Sequence, residues 1–335
     1  MADIHKQLEL FGIEKIMAEA KADGGSRKQL ARIEAAFRAI TREDDSMSFL
    51  HSGFCMAAMP HRKPSDDTST WLRSNGKFHL AIKPGGFIRD GEWQTVGVPY
   101  GAKARLIMVW LQTEGTKNRV VPLGSSMSAW MRSLGLQVTG GKKGTIRPVR
   151  EQALRLSRAE ITMQWDGDVD QGTIIRDQRI VDGLHLWACD PEEEEWPEAV
   201  HLSSEFHEHL REHAVPLADN AIAYLKGSSL ALDLYVWLAH RLPRLEKPVT
   251  VTWKQLASQF GSELSHLYNL ASKIRETLPD VLAVYPDAKV EVGRHGLVLK
   301  PSRPAVPSSK IFLGVHRAPG FQRKSLPAMP QDETV

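Results

Sequence analysis

Basic side chains are concentrated within residues 142–158, where six cations accompany a single acid, Glu151. A 3.6-residue period predicts a helix over about 146–158, with an apolar side formed by Ile146, Val149, Ala153 and Leu156. The cations lie on the opposite side or in the preceding loop; they are Lys142, Lys143, Arg147, Arg150, Arg155 and Arg158. Guanidinium groups on an exposed helix can grip phosphates or pair with guanine in a major groove. The pattern predicts a DNA-binding helix, with a log–log salt slope of roughly −5 if all six neutralise phosphates. A solvated basic face without a ligand is the alternative.

A second set of candidate DNA contacts lies near the end of the chain. A helix is predicted over 263–278, and its expected buried side is Leu264, Leu267, Tyr268, Ala271, Ile274 and Leu278. The opposite side carries Asn and Ser, which can read base edges, but it is nearly neutral. The helix therefore either makes lighter DNA contacts or serves a subunit interface. The candidate contacts are His266, Asn269 and Lys273, together with Arg294 at the tip of a predicted hairpin.

A third pattern could bind a metal ion. His209 and His213, in the stretch HLREH, match the H-x-x-E-H spacing of some zinc hydrolases. No strong third ligand follows them, so the sequence predicts neither a metal site nor a cofactor. The stretch 140–143 (GGKK) resembles a phosphate-binding loop only in part, because no Ser or Thr follows the lysine and no strand precedes it.

Composition excludes several classes of protein. The chain has 335 residues, of which 42% are hydrophobic and 25% charged, with a net charge of +3, as is typical of a globular protein of two or three domains. No run reaches the ~18 apolar residues of a membrane span, and the N-terminus has no secretory signal. Cys55 and Cys189 are too few for a disulfide framework. A reducing, cytoplasmic location is expected.

Two distant stretches of the chain share one order of elements. Leu106–Leu111 (LIMVWL) and Leu232–Leu238 (LDLYVWL) each predict a Val-Trp-Leu helix. A short β-branched strand follows each, then a helix that ends at Gly135 or Gly261, another helix and a hairpin. Helix, strand, helix-turn-helix and hairpin are the order of a winged helix, a unit that usually docks on DNA.

The predicted fold is α+β, with two tandem winged-helix domains, a helical N-terminal arm and a disordered C-terminal tail. The expected divisions are the arm over 1–45, the first winged-helix domain over 46–190, an acidic linker over 191–199, the second winged-helix domain over 200–300 and the tail over 301–335. The arm is predicted as helices over 3–22 and 26–41, with Ile4, Leu8 and Phe11 at helical spacing. It either packs on the body or binds a partner. Strands over 54–59, 78–82 and 94–98 are expected to cover the first winged helix.

The same residues carry a resemblance to a known family. The chain from about Phe49 to Ser302 resembles the plasmid-encoded RepA replication initiators common in proteobacteria. The blocks that carry it are Val98–Trp110 (VPYGAKARLIMVW), Leu123–Leu136 (LGSSMSAWMRSLGL), Thr139–Thr145 (TGGKKGT) with Glu151–Leu156 (EQALRL), and Leu232–Leu242 with Val249–Gly261.

This resemblance implies a protein that is not an enzyme and that binds repeated duplex sites at a plasmid origin. It also implies a change between monomer and dimer, and cooperation with host DnaA and the DnaB helicase to open the origin. The family's DNA-reading helix falls on 146–158. Two other functions stay open: a winged-helix transcriptional regulator, which needs the same groove contacts, and a metal-dependent hydrolase using His209 and His213.

Overall fold

The computed structural model describes residues 4–41, 46–167, 172–183, 197–261 and 267–307, and combines helices with small antiparallel sheets. The helices are α1 (Ile4–Ala22), α2 (Arg27–Thr41), α3 (Ser52–Met56), α4 (Gly101–Lys117), α5 (Met127–Ser133), α6 (Ile146–Arg158), α7 (Ser204–His213), α8 (Asp219–Leu225), α9 (Ser229–Arg241), α10 (Trp253–Phe260) and α11 (Leu267–Ala283). The strands are β1 (Met47–His51), β2 (Trp71–Asn75), β3 (Phe78–Lys83), β4 (Gly85–Arg89), β5 (Glu92–Gly97), β6 (Val120–Pro122), β7 (Glu160–Asp166), β8 (Thr173–Arg179), β9 (Val181–Gly183), β10 (Ala199–Leu202), β11 (Ala214–Ala218), β12 (Val249–Thr252), β13 (Val290–Val292) and β14 (Gly296–Leu299). This mixture is the predicted α+β class.

Helices α1 and α2 form the predicted hairpin, which packs on the C-terminal end of α11. Gly24 takes φ +71° where α1 ends, and Arg32 Nε donates to Asp280 Oδ1 at 2.7 Å. The buried residues of this contact are Leu8, Ile16, Ala20, Ile33, Ala36 and Ala283. A single helical period over α1 is wrong, because Gly12 kinks the helix at φ +73° and leaves Phe11 51% exposed.

The first repeated unit has the predicted order of elements but an unexpected strand pairing. The β7–β8 hairpin joins β2 and β3 in a sheet of order β2-β3-β7-β8. Strand β6 pairs instead with β10, and β10 also pairs with β9. Strand β10 therefore lies with the first unit, although the sequence analysis placed it across the linker and the second domain. The division into domains stays a prediction.

The strands expected over 54–59, 78–82 and 94–98 have mixed outcomes. The last two correspond to β3 and β5. The first is wrong, because Phe54 and Cys55 lie in the short helix α3. The ring Nδ1 of His51 accepts a hydrogen bond from the Gly53 backbone N–H at 3.0 Å and so caps this helix. A buried apolar run of this length can form either a strand or a helix, and the His51 cap favours the helix here.

The second repeated unit follows its predicted order throughout. In its sheet β14 lies between β12 and β13, and Val251 pairs with Leu297. Thr252 begins α10 with a capping box: its hydroxyl accepts from the Gln255 backbone N–H, while Gln255 Oε1 accepts from the Thr252 N–H. The strand and the two helices that the sequence predicted after the second Val-Trp-Leu helix are thus confirmed.

Some predicted features fall outside the described residues. They are the turn at 168–171, most of the acidic linker (191–196), the predicted buried Leu264, the candidate contact His266 and the tail from residue 308 onward.

The two Val-Trp-Leu helices, α4 and α9, pack against each other within one continuous core. The Arg105 guanidinium donates from Nε and Nη2 to the two carboxylate oxygens of Asp233, each at 2.6 Å. It also donates to the backbone carbonyls of Met59 and Pro60, at 2.6 and 3.0 Å. The side chains of Arg105 and Asp233 are only 5% and 8% exposed. This buried ion pair connects the two repeats.

Removing one partner of this pair should be costly. Arg105→Met or Asp233→Leu leaves the other charge buried without its partner, and each should lower the free energy of unfolding by about 3–5 kcal/mol. The double variant has no unpaired charge and should lose less than the sum of the two single losses. Urea unfolding of the four proteins measures this coupling, and strictly additive losses would contradict it.

Candidate nucleic-acid interface

Helices α5 and α6 are the two helices that the sequence predicts for the first helix-turn-helix. Ser126 Oγ accepts from the Ala129 N–H at 3.2 Å and starts α5, and Gly135 at φ +67° follows its end. The predicted buried residues Met127, Met131 and Leu134 are all less than 8% exposed. The Trp130 ring meets Trp110 of α4 edge to face, with 5.8 Å between centroids. The helix is thereby fixed on the Val-Trp-Leu helix.

The glycine-rich connection before α6 is braced by two threonines. Thr145 N–H donates to the Thr139 carbonyl at 2.9 Å, and Thr145 Oγ1 donates to the Gln137 carbonyl at 2.6 Å. Lys142 and Lys143 belong to this loop, and both are exposed to solvent. Two candidate phosphate contacts therefore lie at a defined position at the N-terminal end of α6, the end where helix N–H groups also favour anions.

Helix α6 has the bounds and the buried side that its period predicts. Val149, Ala153 and Leu156 are at most 6% exposed, and Ile146 is half-buried against the core. On the other side Arg147 is exposed and Arg150 is half-exposed. Together with the two lysines, these arginines make up the basic face of α6, four cations that are accessible to a phosphate backbone.

Arg155 was expected on this exposed side, and that position is wrong. Its side chain is 5% exposed, and Nη1 donates to Asp67 Oδ1 at 2.9 Å while Nε donates to Glu151 Oε1 at 3.1 Å. Burial raises the pKa of Asp67, but hydrogen bonds from Arg155 and Lys63 outweigh it and leave the pKa below its usual value. Arg155 thus anchors α6 to the segment beside β5, a tertiary contact that helical periodicity does not encode.

Arg158 is half-buried and also faces a neighbouring element. Its Nε donates to the Gly86 carbonyl at 2.8 Å, at the start of β4. A Cβ atom on Gly85 would collide with the Arg158 carbonyl oxygen, so glycine at this position lets the β4–β5 hairpin lie directly on the end of α6. The hairpin holds the C-terminal end of α6, and the accessible charge is at the N-terminal end.

In the second unit three of the four candidate contacts are exposed as predicted. Asn269 and Lys273 lie on the open side of α11, and Arg294 lies at the turn between β13 and β14. His266, the fourth, is outside the described residues. The sequence analysis missed two exposed cations, Lys254 and Arg275, because neither stands in a charge cluster.

The predicted buried side of α11 is wrong in its first turn. Leu267 and Tyr268 are 46% and 76% exposed, whereas Leu270 and Ile274 are at most 2% exposed. Asn269 is exposed too, so Leu270 alone is buried among the first four described residues of α11. A helical period gives directions around the helix axis, but it does not show which residues a neighbouring element covers.

His209 and His213 belong to a buried histidine cluster with His51. The Gly53 N–H donates to His51 Nδ1, so His51 carries its proton on Nε2 and donates it to His209 Nδ1 at 3.0 Å. The ring centroids of His209 and His213 are 4.3 Å apart. Within the part of the chain that the structure describes, no group of three or more His, Cys, Asp or Glu residues could hold a metal ion.

Burial lowers the pKa of all three rings; at His213 the Glu212 carboxylate opposes this effect and Arg176 adds to it. His51 is shifted well below its usual value by burial and then by His209 and His213. Burial, His213 and Arg176 lower the pKa of His209 to about 4. The geometry agrees, because a proton on His209 Nδ1 would face the proton that His51 already donates.

Comparison with known proteins supports the sequence resemblance. The family described as plasmid-encoded RepA protein matches residues 98–255. We call this matched span, residues 98–255, the RepA region. The match confirms the resemblance over that span.

The RepA region begins just before α4 and ends within α10. It therefore includes both Val-Trp-Leu helices and the whole basic face of α6. Helix α11 and its exposed first turn follow it.

Two crystal structures of RctB domains 2 and 3 are also similar to this chain. One covers 74% of this chain and 96% of its own at 11% identity, with a TM-score of 0.44. A selenomethionine derivative of the same domains covers 74% and 97% at 11% identity, with a TM-score of 0.45. No curated protein sequence matches the chain.

The neutral histidine cluster should make the protein acid-sensitive. An unfolded histidine takes up a proton near pH 6.5, whereas folded His209 does so only near pH 4, so the unfolded state gains protons first as the pH falls. The stability that neutral His209 contributes is therefore fully present above the pKa of the unfolded histidine, and it is lost as the pH falls below that value. Between pH 7 and pH 5, His209 alone should cost about 2 kcal/mol. In His209→Gln, which can still accept from His51, urea unfolding should show a correspondingly smaller loss. An identical pH dependence in both proteins would contradict this account.

Proposed function

We propose that this protein is a plasmid replication initiator that binds repeated duplex DNA sites at the plasmid origin and helps to open the origin. The observation that carries the proposal is the basic face of α6, which lies inside the RepA region. Its cations stand before the helix and on its open side, where they can reach phosphates and guanine edges. The proposal assigns the protein no catalytic residue and no cofactor.

The arrangement of elements supports two winged-helix readers. In the second unit α9, β12, α10, α11 and the β13–β14 hairpin have the order of a winged helix, and β12 completes the sheet of the hairpin. The first unit has the same order with its hairpin extended by β2 and β3. Linked readers raise each other's effective concentration on a site with two half-sites. A tandem arrangement therefore suits long repeated sites.

The partners follow from the resemblance to RepA initiators. Duplex DNA is the first, and host DnaA and the DnaB helicase would act with the protein at the origin. A monomer–dimer equilibrium would control which form binds. In the described part of the chain no helix is long and apolar enough to cross a membrane. We propose that the protein works in the cytoplasm, where its DNA lies.

Footprinting on the plasmid that carries this gene tests the core of the proposal. Protection of direct repeats is expected, followed by opening of an adjacent region in supercoiled DNA. Protection of a promoter without opening would instead favour the transcriptional regulator. Stoichiometric zinc that is lost in His213→Ala would favour the hydrolase.

Charge removal on α6 should weaken binding without unfolding the protein. The four accessible cations should contribute about −4 to the log–log salt slope, and Arg147→Ala or Arg150→Ala should each reduce its magnitude by about 1. The double reversal Arg147→Glu with Arg150→Glu should abolish specific binding. Fluorescence anisotropy at several salt concentrations measures both effects.

Two controls separate this effect from a loss of fold. Lys6→Ala removes an exposed cation from α1 and should leave the slope unchanged. Arg155→Met should lower the melting temperature, because it removes the buried guanidinium that joins α6 to Asp67, and should change the slope less than Arg150→Ala. If the double reversal bound the DNA repeat with unchanged affinity, that result would contradict the assignment of α6 as a DNA-binding helix.

A further inference from the structure

The first turn of α11 presents two apolar side chains to solvent. Leu267 and Tyr268 are 46% and 76% exposed, while Leu270 and Ala271 behind them are buried. Exposed single apolar residues are common, but this pair stands at the start of the helix that corresponds to the DNA reader of the second unit. Residues at the N-terminal end of such a helix contact base edges.

Exposed cations lie on α11, on α10 and at the turn of the β13–β14 hairpin. The Arg275 guanidinium lies 4.5 Å from the centre of the Trp253 ring, and Trp253 Nε1 donates to the Arg294 carbonyl at 3.0 Å. One buried ring thus brings together α10, α11 and the turn of the β13–β14 hairpin. Lys254 and Lys273 are exposed on the same two helices. These cations have the sign that a phosphate backbone attracts.

We infer that Leu267 and Tyr268 contact the C5-methyl group of thymine in the major groove of the DNA site. This methyl group distinguishes thymine in the major groove, and it pairs with apolar side chains. The exposed amide of Asn269, next along the chain, matches the N6 and N7 atoms of adenine. The second unit is therefore assigned A·T pairs, while the arginines of α6 suit phosphates and guanine. This inference rests on the proposed function and adds the base chemistry that the second unit reads.

Replacement of thymine by deoxyuridine tests the inference one methyl group at a time. The change removes the methyl and keeps every hydrogen-bonding group of the base. Starting from a footprinted repeat, substitution at one or two positions should weaken binding of the unmodified protein about fourfold, the effect of one buried CH₂-sized group. The variant Leu267→Ala with Tyr268→Ala should bind the thymine duplex less tightly. It should no longer distinguish thymine from uracil at those positions.

Matched variants identify the source of any change. Tyr268→Phe keeps the ring and should keep the discrimination. Leu10→Ala removes another leucine, 74% exposed on α1, and should leave binding unchanged. The melting temperature of the double variant should match that of the unmodified protein, because the side chains that it loses are exposed.

Three outcomes would overturn the inference while the proposed function stands. They are equal affinity for every deoxyuridine duplex, discrimination that persists in the double variant, and an equal loss of affinity for repeat and unrelated DNA. The last would mark a backbone contact. Failure of the unmodified protein to bind the repeat at all would count against the proposed function itself.

Discussion

The buried ion pair between Arg105 and Asp233 is the contact on which the arrangement of the two units depends. A charged pair is stable in a protein interior only when its remaining hydrogen-bonding groups are satisfied. The guanidinium meets this condition by donating to the carbonyls of Met59, Pro60 and Gly101. These hydrogen bonds therefore hold the chain between β1 and β2 against the ion pair that joins α4 and α9.

The same segment extends the connection to the second repeated unit. His61, which follows Pro60, lies 2.9 Å through Nε2 from the Phe260 carbonyl and 3.0 Å through Nδ1 from Ser229 Oγ. Because Phe260 ends α10, the helix before α11 is tied to the ion pair. On the other side α6 packs directly on α4. The two candidate DNA-reading helices, α6 and α11, are thus positioned by α4, α9 and the chain between β1 and β2.

The sequence predicts local structure well, but it predicts poorly which side chains other elements bury. Helix α6 has the predicted bounds because its apolar period, its basic loop and the end of α5 at Gly135 all agree. Arg155 and Tyr268 have the opposite burial from the prediction, since their environment is set by elements distant in the chain. Glu151, four residues before Arg155, was the only local sign of the inward ion pair. For Tyr268 a helical period offers no such sign, because it gives directions around the helix axis and does not show which positions a neighbouring element buries.

The strand pairings also determine when the protein can fold during synthesis. Strand β6 at Val120–Pro122 has β10 as its partner, and β1 at Met47–His51 has β11 at Ala214–Ala218. These partners leave the ribosome only after both α5 and α6 have been made. The nascent chain therefore carries its most basic segment before the sheets that support the first unit can close. Because such long-range pairing forms late, the first unit can close its sheets only after β10 and β11 have been made, shortly before α9 begins the second unit.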